Sequence, residues 1–238
     1  MFWLKIGERS ELDEIMDDLS VSGALIDQTL KELEVINKWL GGNQVTLTGL
    51  NELTKGHHIT ELHIADLGCG GGDMLKRVAN WGRNQGIRLQ LTGVDANPYI
   101  IDHARNNCSS YPEIEFQVAN ILDDSFQRKQ FDVIVSTLFT HHFNNQQLRR
   151  LINIWRKQTR LGIVINDLHR HWLAYYFISF ITRAFSKSSM VKNDGPISVL
   201  RGFRGKEWEQ VMEHCGVNIY SLSWRWAFRW LLVVPGQD

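Results

Sequence analysis

Cysteine is scarce and scattered. Cys69, Cys108 and Cys215 form no C-x-x-C pair and no disulfide ladder. That excludes a small scaffold held by bridges and points to a reducing, cytoplasmic compartment. Net charge is missing too, with 26 Lys and Arg set against 26 Asp and Glu. A broad nucleic-acid-binding face needs a basic excess to neutralise phosphates, so no nucleic-acid partner is expected. No apolar run is long enough to span a bilayer. Met1 to Ser10 carries Lys5, Glu8 and Arg9 and lacks a continuous apolar core, so no secretory signal is expected. Internal repeats and low-complexity segments are absent.

What remains is ordinary in bulk and specific in detail. The 238 residues suffice for one α/β domain with an appendage. Hydrophobic residues make up 43% and charged residues 22%, as in a globular chain. Tryptophan is abundant at nine, and many lie outside the glycine-rich region.

From Thr60 onward, short apolar runs alternate with helical patterns, the signature of a parallel sheet covered by helices. The spacing predicts strands at Leu62–Leu67, Leu89–Asp95, Ile114–Ala119, Phe131–Thr137 and Leu161–Asp167. It predicts helices at Gly72–Trp81, Tyr99–Cys108, Asp123–Arg128, Asn145–Lys157 and Lys206–Cys215. Val217–Trp226 and Phe228–Val234 read as two closing, antiparallel strands. Before Thr60 the chain reads as helical: a start at Ser10–Glu14, a helix from Gly23 to Leu40, and a shorter one at Val45–Leu53. Residues 1–58 are thus a helical cap, serving either as plain cover or as a lid. Residues 59–238 form the main domain, and Ser186–Pro196 reads as a loop.

Asp66-Leu67-Gly68-Cys69-Gly70-Gly71-Gly72-Asp73 ends a strand on an acid, turns on glycines and enters a helix. Such a turn lets a ligand lie against the backbone at a helix N-terminus. A dinucleotide turn has the pattern G-x-G-x-x-G; here an acid stands at position 73, where it would repel a pyrophosphate. Asp66 and Asp73 suit a cationic ligand instead. Asp95 ends the next strand, where its two oxygens can accept both hydroxyls of a ribose.

Taken together, these segments resemble the class I S-adenosylmethionine-dependent methyltransferases. Asp66–Asp73 looks like the family's first motif and Val94-Asp95-Ala96-Asn97-Pro98 like its second. Phe131–Ser136, with Leu138 and His141-His142-Phe143, is similar to its fourth. The resemblance implies a Rossmann-like, seven-stranded, mostly parallel sheet with helices on both faces and an antiparallel last strand. It implies S-adenosylmethionine as cofactor, with Asp66, Gly68, Cys69, Gly70, Gly72, Asp95, Ala96 and Ser136 around it. Asn120 and Ile121 fall at the family's adenine site, where many members carry an acid.

Methyl transfer to a hydroxyl needs a base, and histidine suits the task. Two clusters follow strand ends: His141-His142 and Asp167-Leu168-His169-Arg170-His171. The candidates are His169 or His171, oriented by Asp167, with His142 next. No metal is expected, because hard cations want several carboxylates and histidines outnumber acids here. The segment 169–197 reads as an aromatic lid, rich in Trp172, Tyr175, Tyr176, Phe177 and Phe180. It favours a small, flat, apolar acceptor such as a phenol, quinone or polyketide, with a homodimer or peripheral-membrane contact as the alternative. Arg170, Arg183, Lys187, Lys192, Arg201 and Arg204 read as a solvated basic face, with attraction of an acidic acceptor as the alternative. The reading is an O-methyltransferase. The alternatives are a C-methyltransferase of quinone biosynthesis, a nicotinamide oxidoreductase and a non-catalytic binding module.

Overall fold

The computed structural model describes residues 6–236. The first five residues of the 1–58 range and of the leading segment, and the last two of the 59–238 range, lie outside the described residues. Seven strands form one sheet: β1 (Glu61–Leu67), β2 (Arg88–Asp95), β3 (Ile114–Val118), β4 (Phe131–Thr137), β5 (Thr159–Leu168), β6 (Ser221–Arg225) and β7 (Arg229–Pro235). Their order is β3-β2-β1-β4-β5-β7-β6. The first five are parallel, while β7 runs antiparallel to β5 and β6 antiparallel to β7. The strand order reverses between β1 and β4. That point is where open α/β sheets bind ligands, outside the carboxyl ends of the strands.

Burial on both faces explains the nearly continuous apolar runs of β4 and β5. On one face, α6 (Asn145–Gln158) and α9 (Gly205–His214) pack Trp155 and Trp208 against Ile134, Ile163 and Leu232. On the other, α2 (Gly42–Thr54) and α3 (Asp73–Gln85) pack Leu50, Leu75 and Val78 against Ile64, Val133 and Val164. The helix α2 therefore belongs to the main core, since Gly49 sits so close to Val164 that a Cβ would lie 2.4 Å from it. A third, smaller cluster joins Ile26 and Leu30 of α1 (Ala24–Trp39), Ile100 of α4 (Pro98–Asn107) and Met190. The remaining short helix is α5 (Asp124–Gln127).

Two local expectations are corrected. Ser10–Glu14 starts no helix; the segment is irregular up to one 3-10 turn at Ile15–Asp17. Leu12 and Glu14 N–H donate locally, to Ser10 Oγ and Asp17 Oδ2, while distant groups take the donors on either side. Ser10 N–H donates to the Leu200 carbonyl (3.0 Å), and Ile15 and Met16 N–H donate to the Asp194 carboxylate (2.9 and 3.1 Å). Ser186–Pro196 is not a loop, because α8 (Ser189–Arg201) starts at the Ser188 cap, whose hydroxyl accepts from Val191 N–H, and runs through Pro196. Packing against α7 (Trp172–Phe185) outweighs the missing proline donor. In α7 the apolar residues divide. Phe177 and Ile178 face the cavity described below, while Trp172, Tyr176 and Phe180 are more than half exposed. Among the described residues no helix is long and apolar enough to cross a membrane.

Candidate active site

A cavity of about 520 Å³ opens at the carboxyl ends of β1, β2 and β4. Its floor is the glycine turn. Gly68, Gly70 and Gly72 all have positive φ, at 72°, 50° and 80°. Their surroundings differ. A Cβ on Gly68 would sit 2.3 Å from the Phe139 ring, and one on Gly72 would sit 2.7 Å from Cys108 Sγ. A Cβ on Gly70 would meet nothing closer than Leu30 at 3.9 Å. The outer glycines thus serve close packing, and Gly70 faces open space. Gly72 does not line the cavity; Cys69 does.

Acids surround this floor. Asp95 accepts from Asn97 N–H (3.0 Å) and, more loosely, from Gly70 N–H (3.4 Å), which fixes its carboxylate beside the turn. Asp66 is 1% exposed, and its Oδ1 has no hydrogen-bond partner among the described residues. Burial, reinforced by Asp95 and Asp73, pushes its pKa up to about 8. Burial likewise raises Asp95 against the pull of its backbone donors. Asp73 caps the wall with Lys76 at 3.1 Å. A buried acid without a partner and an open glycine fit a ligand bearing a cation and hydroxyls, and oppose a pyrophosphate. Ala96, Asn120 and Ile121 line the same space. The Asn120 side-chain carbonyl already accepts from Leu122 N–H at 3.0 Å, leaving one lone pair for a ligand.

The opposite wall carries the histidine pair, on a 3-10 turn at Thr140–His142. His141 Nδ1 donates to Asp167 Oδ1 at 2.7 Å, and its Nε2 lies 3.5 Å from Glu14 Oε1. Burial works to lower its pKa, but Asp167 and Glu14 raise it to about 9. His142 Nδ1 bonds Asp17 Oδ1 at 2.5 Å. Arg201 locks the arrangement, donating to the carbonyls of His141 (3.3 Å) and His142 (2.8 Å) and to Asp17 Oδ2 (2.5 Å). Glu14, His141 and His142 bring three ligand-type atoms within 4.8 Å of one another. Arg201, 3.9 Å from Glu14 Oε1, adds a positive charge that opposes a dication there.

Several expected site residues lie elsewhere. The pairing of Asp167 with His169 or His171 is corrected, since Asp167 is fully buried and holds His141, the His141 N–H and Thr140. The strand geometry explains this: Asp167 turns beneath the histidine turn while residues 169 and 171 pass beyond the sheet. His169 accepts from Trp224 Nε1–H at 3.1 Å and packs edge-on to Trp230; burial first, then nearby positive charges, lowers its pKa to about 4. His171 caps α7 through Leu173 N–H (3.2 Å) and stacks on Phe228. Neither ring lines the cavity, and neither does Ser136, which is wholly buried with its hydroxyl toward the Leu67 carbonyl at 3.4 Å. The basic face is corrected in part: Arg170 is buried on Glu207 (2.6 Å) and Arg201 on the histidine turn, so neither is solvated.

Glu14, Asp17, Asn43, Asp194, Ser198 and Arg229 line the cavity without having been singled out in the sequence. Glu14 and Asp17 sit in an acidic stretch that looks like any helix start. Arg229 offered a usable signal, a charge inside an otherwise apolar strand.

A family model described as a methyltransferase domain matches residues 64–162, the segment that holds the glycine turn, Asp95 and the histidine turn. That segment is a methyltransferase domain, and the chain is an S-adenosylmethionine-dependent methyltransferase. The ubiquinone biosynthesis O-methyltransferase of Rickettsia bellii is 23% identical over 183 residues, 76% of this methyltransferase and 72% of the relative. The plantazolicin methyltransferase BpumL in complex with SAH superposes with a TM-score of 0.61 at 17% identity, covering 90% of this chain and 100% of that one. The citrinin polyketide synthase CMeT domain gives 0.60 at 16% identity over 82% of this chain. The methyltransferase spans only about half, 52%, of that chain. At such identities the two structural likenesses speak for the fold.

Proposed function

We propose that this methyltransferase transfers a methyl group to a hydroxyl of a small aromatic acceptor, with His142 as general base. One observation carries the reading: an Asp17-oriented imidazole shares a cavity with the glycine turn and Asp95. When bound, S-adenosylmethionine supplies an electrophilic methyl on a sulfonium. Asp66, Gly70, Asp95, Ala96, Asn120 and Ile121 are the residues that would hold it. Because Asp17 engages Nδ1, the other ring nitrogen of His142 is the one left for a proton from the acceptor. His141 is poorly suited to that role, since a pKa of about 9 keeps it protonated near neutrality.

The acceptor lies against Ala174, Phe177 and Ile178 of α7 and Phe228, an apolar wall suited to a flat ring. In this reading residues 14–40, within the 1–58 cap, and the 169–197 segment are the two lids that keep water from the reacting atoms. The O-methyltransferase from Rickettsia bellii supports a hydroxyl acceptor.

The test is transfer of a labelled methyl from S-adenosylmethionine to a panel of phenols and catechols, with products assigned by mass spectrometry and NMR. An O-methylated product is expected, and His142→Ala is expected to lower kcat by about 10²–10⁴-fold with S-adenosylhomocysteine affinity retained. A carbon-methylated product, or full activity of the variant, overturns the reading.

A further inference from the structure

One wall of the cavity holds donors with nothing to donate to. There the start of α2 meets the first residue of β7. Arg229 is 2% exposed, yet among the described residues it forms no ion pair. Its Nη2 donates to Asn37 Oδ1 at 3.0 Å, while Nε and Nη1 have no partner. Asn43, 7% exposed, likewise leaves Nδ2 without an acceptor. All three residues line the cavity.

The site is built for the guanidinium. Gly42 opens α2, and a Cβ there would lie 2.5 Å from Cζ and Nη2 of Arg229. Only the absence of a side chain at 42 makes room. The N-terminus of this 13-residue helix adds partial positive charge at the same place. Burial lowers the Arg229 pKa to about 10, against a distant pull from Asp167, so the group is still charged at neutral pH. A buried cation without a counterion is costly unless an anion arrives.

We propose that Arg229, Asn43 and the first turn of α2 form a carboxylate-binding subsite of this cavity. The inference rests on the methyl-transfer reading above. The buried atoms left unpartnered on Arg229 and Asn43 are all donors, which selects an anion. Asp73 and Asp95 in the same cavity disfavour a polyanion, which leaves a singly charged group. That carboxylate comes from one of two sources: the aminoacyl end of the cofactor or an acidic substituent on the acceptor ring.

Calorimetric titration of the full chain separates them. The probes are two matched pairs: S-adenosylhomocysteine against 5′-methylthioadenosine, and 3,4-dihydroxybenzoate against catechol. Arg229→Gln is expected to weaken one carboxylate-bearing probe by roughly ten- to a hundredfold, leaving its carboxylate-free counterpart unchanged. Asn43→Ala, which leaves the guanidinium in place, is expected to weaken the same probe by a smaller factor and serves if Arg229→Gln fails to fold. Selective loss of S-adenosylhomocysteine assigns the carboxylate to the cofactor; selective loss of dihydroxybenzoate assigns it to the acceptor. No selective loss in either pair, with S-adenosylhomocysteine still bound by the native chain, overturns the subsite alone. A native chain that binds neither nucleoside probe overturns the methyl-transfer reading with it.

Discussion

His141 Nδ1 and Asp167 Oδ1 stand 2.7 Å apart, with both side chains shut away from solvent. Burial opposes charge on each. Their mutual attraction wins on both sides, holding His141 up at about 9 and Asp167 well below the usual carboxylate range. The pair joins the end of β5 to the turn after β4, so it fixes the shape of the cavity wall.

Removing one partner leaves the other charge buried and alone. Asp167→Ala is expected to destabilise the fold by about 3–5 kcal/mol, measured by urea denaturation. The pH dependence has a definite sign. With an unfolded pKa near 6.5, the contribution of His141 is complete below about pH 6.5 and is lost as pH rises through about 9. The contribution of Asp167 is present above about pH 4 and lost on acidification. The native urea midpoint should therefore fall between pH 6.5 and 9.5 by more than that of Asp167→Ala. Parallel profiles would show that the pair adds no such stability.

Asp17 is a positioning residue in the proposed mechanism, acting through the His142 ring. Asp17→Asn is expected to lower kcat by roughly tenfold or more while leaving the affinity for S-adenosylhomocysteine unchanged. Asp17 also holds Arg201, so some thermal stability is lost in either event. The separation of kcat from cofactor affinity is the readout that a purely structural role would not give.

Gly70 and Gly72 are expected to respond differently to alanine. At Gly72 the new methyl meets Cys108 and Phe116 at 2.7 and 3.0 Å, and the backbone stays at φ 80°. Stability falls by about 1–3 kcal/mol. At Gly70 the methyl enters open cavity, so stability falls by about 1 kcal/mol while cofactor affinity falls more. Melting curves and calorimetry on the two variants separate the packing glycine from the ligand-facing one.

The central strands of the sheet were legible in the chain because each is a local, mostly apolar run. β1, β2 and β4 need only short-range patterning and burial on both faces to declare themselves. The glycine turn and Asp95 were legible for the same reason: strand, turn and helix are consecutive, and the conformation requires glycine locally. Where the pattern misled, distant partners had replaced local ones. Ser10, Ile15 and Met16 spend their backbone donors on α8, and α8 itself accepts Pro196 because α7 holds it.

The sequence by itself therefore determined the fold class and the glycine turn that lies beside Asp95. Tertiary structure decided the histidine wall of the cavity and the Arg229 corner, because their residues come from segments far apart in the chain. Asp167 neighbours His169 and His171 in sequence, yet strand direction hands it to His141, 26 positions away. Asp17 meets His142 across 125 positions, and Arg229 meets Asn37 across 192. Spacing along the chain carries no record of such meetings; only the packing of the leading segment and α1 onto the sheet brings them about.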